Sequence, residues 1–200
     1  MVDFIFTNYK KINKLLIIKS ILGLLATSLP FNFLRIFFLN LIPGFKFKNC
    51  YVGNLNIFST NEILIVDSKI GNFNFIILSK ISCSKKSIIG SYNKILSNFQ
   101  NSYLSMEQSQ ISINNTFYLS KNTLIGKNVV FGGMNSKIFL NKSSEQNTYF
   151  RENIFIGSNS ILLTGIKLEK DIVIGAGSIV LNSIIKPGLY YSKQLVTNEK

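Results

Sequence analysis

Cut every six residues from Ile156 onward, the chain reads IGSNSI, LLTGIK, LEKDIV, IGAGSI and VLNSII. The first position is aliphatic in every block (Ile156, Leu162, Leu168, Ile174, Val180), and the fifth is small or aliphatic (Ser160, Ile166, Ile172, Ser178, Ile184). Between them lies turn chemistry: Gly157-Ser158-Asn159, Thr164-Gly165, Lys170-Asp171, Gly175-Ala176-Gly177 and Asn182-Ser183. Position five and the first position of the next block alternate with one residue between them. Both therefore point to the same side of a short strand, while Ile161, Lys167, Val173 or Ile179 points outward. Each hexamer is one strand plus one corner, and three hexamers close one triangular coil. No such coil buries its inner face alone, so coils must stack, at the strand spacing of about 4.8 Å. Unrelated hairpins would instead alternate over longer strands with variable spacing.

The same pattern reaches back towards the N-terminus. IGKNVV (125–130) fits fully, whereas VGNLNI (52–57), IGNFNF (70–75) and IGSYNK (89–94) carry Asn at the fifth position. From Val52 to Ile70 is three hexamers, one coil, and from Ile70 to Ile89 is one coil with a single insertion. The stretch 91–107 reads as irregular, and the segments 95–110 and 132–153 read as loops pushed out of the stack. The expected fold is a parallel β-helix, mainly β.

Residues 1–48 differ. KKINKLLIIKSILGLLATSL (10–29) has Lys10, Lys11, Lys14 and Lys19 in its first half and helical spacing at Ile12, Leu15, Leu16, the Lys19 stem, Leu22, Leu25 and Ala26, and it stops at Pro30. FNFLRIFFLNLI (31–42) carries Arg35 and stops at Pro43-Gly44. The apolar run after Lys19 falls short of the roughly 20 residues a membrane span requires, and no small-residue cleavage site follows. Two readings remain open: a pair of interfacial helices on a membrane surface, or helices that cap an apolar end of the main domain. The expected organisation is an N-terminal amphipathic helical segment (1–48), a repeat domain (49–190) and a C-terminal tail (191–200).

Composition limits the chemistry. The chain of 200 residues contains no histidine, which removes the commonest general base, the commonest metal ligand and every Ser-His or Cys-His pair. Cys50 and Cys83 have no metal-binding or disulfide-framework spacing, so no metal site is expected and the thiols fit a reducing, cytoplasmic compartment. A 46% hydrophobic content excludes disorder. Lys+Arg 22 against Asp+Glu 9 gives +13, which favours anionic partners. The positive charges are scattered and no nucleic-acid-binding signature appears, so nucleic acid is not the expected partner. The expected location is cytoplasmic, peripheral on the inner face of the membrane if 1–48 binds lipid.

IFIGSNSILLTGIKLEKDIVIGAGSIVLNSIIKPG (154–188) resembles the terminal coils of the hexapeptide-repeat acyltransferases, whose fold is a left-handed parallel β-helix of three-sided coils. NTLIGKNVVFGG (122–133) and the earlier coils extend the resemblance more loosely back through the repeat domain. LPFNFLRIFFLNLIPGFKFKNCYVG is similar to the lead-in of members that modify sugars of surface polysaccharides. The resemblance implies a homotrimer, acetyl-CoA lying between neighbouring helices as acyl donor, and transfer to a saccharide hydroxyl. Pantetheine is an extended polyamide suited to Gly-rich corners, which implies Gly157, Gly175, Ala176 and Gly177 as cofactor-binding positions, and its phosphates imply Lys186 and Lys193. Family members place a catalytic histidine in a loop after an IGxxVxxGG coil. The matching region here is FGGMNSKIFLNKSSEQNTYFREN, where Asn141 takes that place and Glu145 and Glu152 are the nearby carboxylates. NNTFYLS (114–120) also lacks histidine and offers Tyr118. The alternative implied by these departures is a catalytically inactive trimeric β-helix that binds a ligand or serves as a scaffold.

Overall fold

A computed structural model describes residues 14–97, 101–119, 122–139 and 146–191. Two helices, α1 (Lys14–Thr27) and α2 (Asn32–Asn40), precede a three-sided solenoid. Its walls are three parallel sheets of seven, eight and seven strands. The first coil shows the plan: Phe45–Lys48 starts the first sheet, Tyr51–Val52 the second and Ile57–Ser59 the third. Each later strand pairs only with the strand one coil below and one coil above, so seven turns rise in order and Gly188–Tyr190 begins another.

Period-two alternation makes these short strands. Glu62–Val66 and Lys80–Ser84 turn every second side chain inward. Within the 156–185 repeat, Ile156 and Ile174 stack on the second sheet, Leu162 and Val180 on the third, and Leu168 lies on the first, all buried. The fifth positions Ser160, Ile166, Ile172 and Ser178 are buried too, while Val173 and Ile179 are exposed. The interior column continues without a break through Val52, Ile70, Ile89, Ile111 and Phe131. Each such side chain contributes roughly 1.5–3 kcal/mol by leaving water.

The second corner, where the second sheet passes to the third, carries a ladder of buried amides. The backbone N–H of Asn74 donates to Asn56 Oδ1 (2.9 Å), that of Asn93 to Asn74 Oδ1 (3.0 Å), that of Asn115 to Asn93 Oδ1 (2.9 Å) and that of Ser136 to Asn115 Oδ1 (2.9 Å). Asn56, Asn74 and Asn93 are the fifth positions of the degenerate coils. Above them Ser136 and Ser160 take over, their hydroxyls donating to the Gly157 carbonyl at 3.1 and 2.8 Å.

Two expected loops are corrected. Lys94–Ser97, Tyr103–Glu107 and Gln110–Ile111 are strands within 91–111, and Lys137–Phe139 and Thr148–Phe150 are strands within 132–153. Ser97 and Phe139 end strands of the third sheet, and Tyr103 and Thr148 begin strands of the first, on the two sides of the third corner. The register explains the misreading. Along the second sheet the partners run Val52, Ile70, Ile89, Ile111, Phe131, Ile156 and Ile174. The first and last steps are three exact hexamers. The steps from Ile89 to Ile111 and from Phe131 to Ile156 carry the largest insertions, so the six-residue phase is lost in the middle coils while the pairing is kept. Inward positions there also include Ser97, Met106, Thr123 and Thr148 rather than a steady aliphatic row.

The helices cover the first coil with only part of the face that sequence spacing selects: Lys19 and Ala26 are buried, whereas Leu15, Leu22 and Leu25 are exposed. α1 buries Lys19, Gly23, Ala26 and Thr27, and α2 buries Arg35 and Leu39. Lys19 Nζ donates to the Asn61 carbonyl (2.9 Å) and lies 5.8 Å from the centre of the Phe45 ring. Arg35 donates to the carbonyls of Leu29, Val52 and Pro30, so its buried guanidinium is satisfied by main chain. Thr27 Oγ1 accepts from the Asn56 N–H at 3.0 Å, which locks the end of α1 onto the bottom rung of the amide ladder. No helix among the described residues is long and apolar enough to cross a membrane.

Candidate functional site

The glycine-bearing second corner is where the resemblance places the acyl donor. Gly157 is buried, and a Cβ there would lie 2.6 Å from the Ala176 nitrogen, so close passage of the next coil requires glycine. Its N–H donates to the Ile174 carbonyl (2.8 Å), that of Gly175 to Tyr190 (2.7 Å) and that of Gly177 to Ser158 (2.8 Å). These three donors are held by neighbouring coils. What faces outward is the exposed Ala176–Gly177 edge, with Gly177 at φ +70° and open space around its Cα.

Lys186 is exposed in the turn before Gly188–Tyr190, and its carbonyl accepts from the Tyr190 hydroxyl (2.8 Å). That turn enters the second sheet from its first-sheet edge, whereas Ala176 and Gly177 leave by the opposite edge. The structure therefore does not bring Lys186 to the glycine corner. Glu152 is exposed at the first corner, where its carbonyl accepts from the Asp171 N–H (3.0 Å). Tyr118 points out from the third sheet and stacks on Phe139, with ring centroids 6.1 Å apart. Asn141, Glu145 and Lys193 lie outside the described residues.

A polar cleft lies at the third corner, where Gln146 and Asn147 lead into the first sheet. Asn122, Gln146, Asn147, Tyr149, Lys167 and Ser183 line it. Tyr149 and Lys167 are register partners on adjacent strands. Asn147 Nδ2 donates to the Tyr149 hydroxyl (2.9 Å), and the Arg151 guanidinium lies 5.9 Å from the Tyr149 ring centre. Lys167 Nζ meets Glu169 at 2.5 Å, and this hydrogen bond, helped by the charges of Lys167 and Arg151, holds the Glu169 carboxyl below its ordinary range. The ensemble offers a phenol, amides and one cation, Lys167, that is paired with Glu169, chemistry suited to a polyol. Sequence reading missed it, because its members stand on four successive coils. The only available signal was that Tyr149 and Lys167 stand one coil apart.

Both cysteines are buried and free, and burial pushes the Cys50 thiol up to about 11 and that of Cys83 to about 12. Neither is a nucleophile at neutral pH. Among the described residues no group of three or more His, Cys, Asp or Glu side chains is placed to hold a metal ion.

The chain is similar to the bifunctional protein GlmU of Buchnera aphidicola subsp. Baizongia pistaciae (strain Bp), with 30% identity over 79 residues. The matched stretch is 40% of this chain and 18% of that relative, so the chain spans less than a fifth of the relative's length. No family model matches the sequence. The partial similarity and the three-sided solenoid together fit a hexapeptide-repeat protein.

Proposed function

We propose that this protein is an acyltransferase that carries an acetyl group from acetyl-CoA to a saccharide hydroxyl, working as a homotrimer. The observation that carries the reading is the continuous stack of three-sided coils over the residues that resemble the hexapeptide-repeat acyltransferases. The partial similarity to a GlmU protein supports it. Self-association is supported by the outer surface of the third sheet, where Ile77, Leu96, Tyr118, Phe139 and Leu163 follow one another in an apolar column, beside a second column in which Lys94, Thr116 and Lys137 stand between Phe75 and Ile161. Val173 belongs to the second sheet and is part of neither column.

In this reading the pantetheine arm runs past the Ala176–Gly177 edge. The acceptor sugar lies in the cleft of Asn147, Tyr149 and Lys167 of a neighbouring protomer, because the glycine edge and the cleft stand at different corners of one solenoid. The acceptor oxygen attacks the thioester carbonyl carbon and loses its proton, the C–S bond breaks, and the CoA thiolate leaves to be protonated. With no histidine in the chain, the proton passes to a carboxylate, Glu145 or Glu152, or to water. Lys186 and Lys193 remain the proposed phosphate partners.

The test is thiol release from acetyl-CoA across a panel of saccharide acceptors. Acceptor-dependent release is expected, with Tyr149→Phe and Lys167→Ala each lowering kcat/KM about tenfold. Absence of both CoA binding and thiol release overturns the proposal. The complete lack of histidine favours one second reading, a trimeric binding or scaffold protein, marked by retained CoA binding without turnover.

A further inference from the structure

The helical cap is built with its large apolar side chains facing away from the protein. Against the solenoid lie Lys19, Gly23, Ala26 and Thr27 of α1 and Arg35 and Leu39 of α2. Outward lie Ile18, Leu22 and Leu25 of α1 and Phe33, Phe37 and Phe38 of α2, with Leu25 60% and Phe33 67% exposed. Between the helices runs a groove walled by Leu22, Leu25 and Leu29 on one side and Phe38, Leu41 and Ile42 on the other. A surface of this make-up on two adjoining helices needs a cover.

Charge identifies the cover. No acidic residue occurs between Asp3 and Glu62. Lys14 is exposed at the start of α1. Lys46 and Lys48 point outward from the strand that Asn40 of α2 clasps through two hydrogen bonds to Phe47. Pairing the patch with a second copy would set these lysines against one another, and the nearby carboxylate, Glu62 of the next coil, is already held by Lys80. Anionic headgroups accept the lysines and the acyl region accepts the side chains between them. We infer that the outward face of α1 and α2 docks on an anionic lipid bilayer, with both helices lying in the interface, their apolar side chains about 5–10 Å into the headgroup–acyl boundary, and the solenoid standing on its first coil. This inference goes beyond the acyl-transfer reading and does not depend on it.

The chain has no tryptophan, so Phe33→Trp installs a single reporter at an exposed position without disturbing the buried face. Phosphatidylglycerol-containing vesicles are expected to shift its emission to the blue, with quenching by brominated acyl chains. Phosphatidylcholine vesicles are expected to give a weaker shift, and added salt to weaken binding. In flotation assays, Leu25→Asp with Phe37→Asp is expected to lower the vesicle-bound fraction about tenfold, and Lys14→Glu with Lys46→Glu and Lys48→Glu to remove the preference for anionic lipid. Unchanged reporter emission with every vesicle overturns the inference. So does a patch whose Leu25→Asp and Phe37→Asp substitutions dissolve a protein–protein oligomer while leaving flotation as it was. Thiol release measured in parallel separates this outcome from failure of the proposed chemistry.

Discussion

The lower and upper halves of the solenoid hold the same corner in different ways. In the lower coils Asn56, Asn74, Asn93 and Asn115 link rung to rung, each Oδ1 accepting from the backbone of the next. In the upper coils the Ser160 hydroxyl donates to the Gly157 carbonyl of its own corner (2.8 Å) and to the Gly175 carbonyl of the next coil (3.2 Å), and the buried Ser178 hydroxyl has no partner. The handover falls where the second corner is longest. The stretch from Phe131 to Ser136 is one residue longer than those from Ile111 to Asn115 and from Ile156 to Ser160. There the Asn115 Nδ2 group is left without a partner. Asn115 Oδ1 still reaches the next coil, but with the corner above it one residue longer its Nδ2 group finds no acceptor. The serine hydroxyls also cross to the next coil, Ser136 to the Gly157 carbonyl and Ser160 to that of Gly175, but as donors to carbonyls. The half whose aliphatic pattern looks degenerate is thus the half with the stronger polar column.

That contrast breaks most visibly at Asn93. Asn93→Ala removes the acceptor for the Asn115 N–H and the donor to the Ser112 carbonyl, both buried or nearly so. The expected loss is about 3 kcal/mol or more in denaturant unfolding. Gly157→Ala meets the Ala176 backbone and is expected to cost about 3 kcal/mol. Gly177→Ala meets nothing and carries only its positive φ, at about 1–2 kcal/mol by the same measurement. Asn115→Ala should fall below Asn93→Ala, because its amide donor is already unpartnered. Ser160→Ala, the upper-half counterpart of Asn93→Ala, is expected to cost about 1 kcal/mol; equal losses at the two positions would remove the distinction. Ser178→Ala, which removes an unpartnered hydroxyl, is expected to leave stability within about 0.5 kcal/mol of the parent or to raise it.

The smallest effect lies on the outer surface of the first sheet and touches both halves. Glu62 beside Lys80 (2.7 Å), Glu107 beside Lys85 (2.6 Å) and Glu169 beside Lys167 all titrate below the ordinary glutamate range, chiefly through the hydrogen bond from the lysine. Depressed folded values mean that the stabilisation is present above the ordinary glutamate pKa and is lost as pH falls through the depressed values. These pairs are exposed, so the acid-side decline in melting temperature should be shallow and largely abolished by salt. A decline that survives high salt would place the titrating groups elsewhere.

The sequence by itself determined the three-sided solenoid. Alternate side chains on a strand share a face, and a corner in every hexamer repeats that face, so Ile156, Leu162, Leu168, Ile174 and Val180 could be assigned to one interior without knowing any neighbour. It also marked the asparagines of the fifth position in the lower coils. What only the tertiary structure decided are relations between coils. The insertions between Ile89 and Ile111 and between Phe131 and Ile156 erase the period locally, so the strands within 91–111 and 132–153 read as loops until pairing with adjacent coils restores their register. Tyr149 and Lys167 meet because one coil lies on the next, and the amide ladder ends at Ser136, where the corner is one residue longer and the side chain is no longer an amide. The helices show the same division. Spacing on α1 marks Lys19 and Ala26, which are buried, together with Leu15, Leu22 and Leu25, which are exposed; the small Gly23, Ala26 and Thr27 and the Lys19 stem are what fit over the ring of Phe45 and the Asn56 backbone, so the larger leucines turn outward. Periodicity is a property of one strand or one helix, whereas contact is a property of two, and the chain length between them sets which two meet.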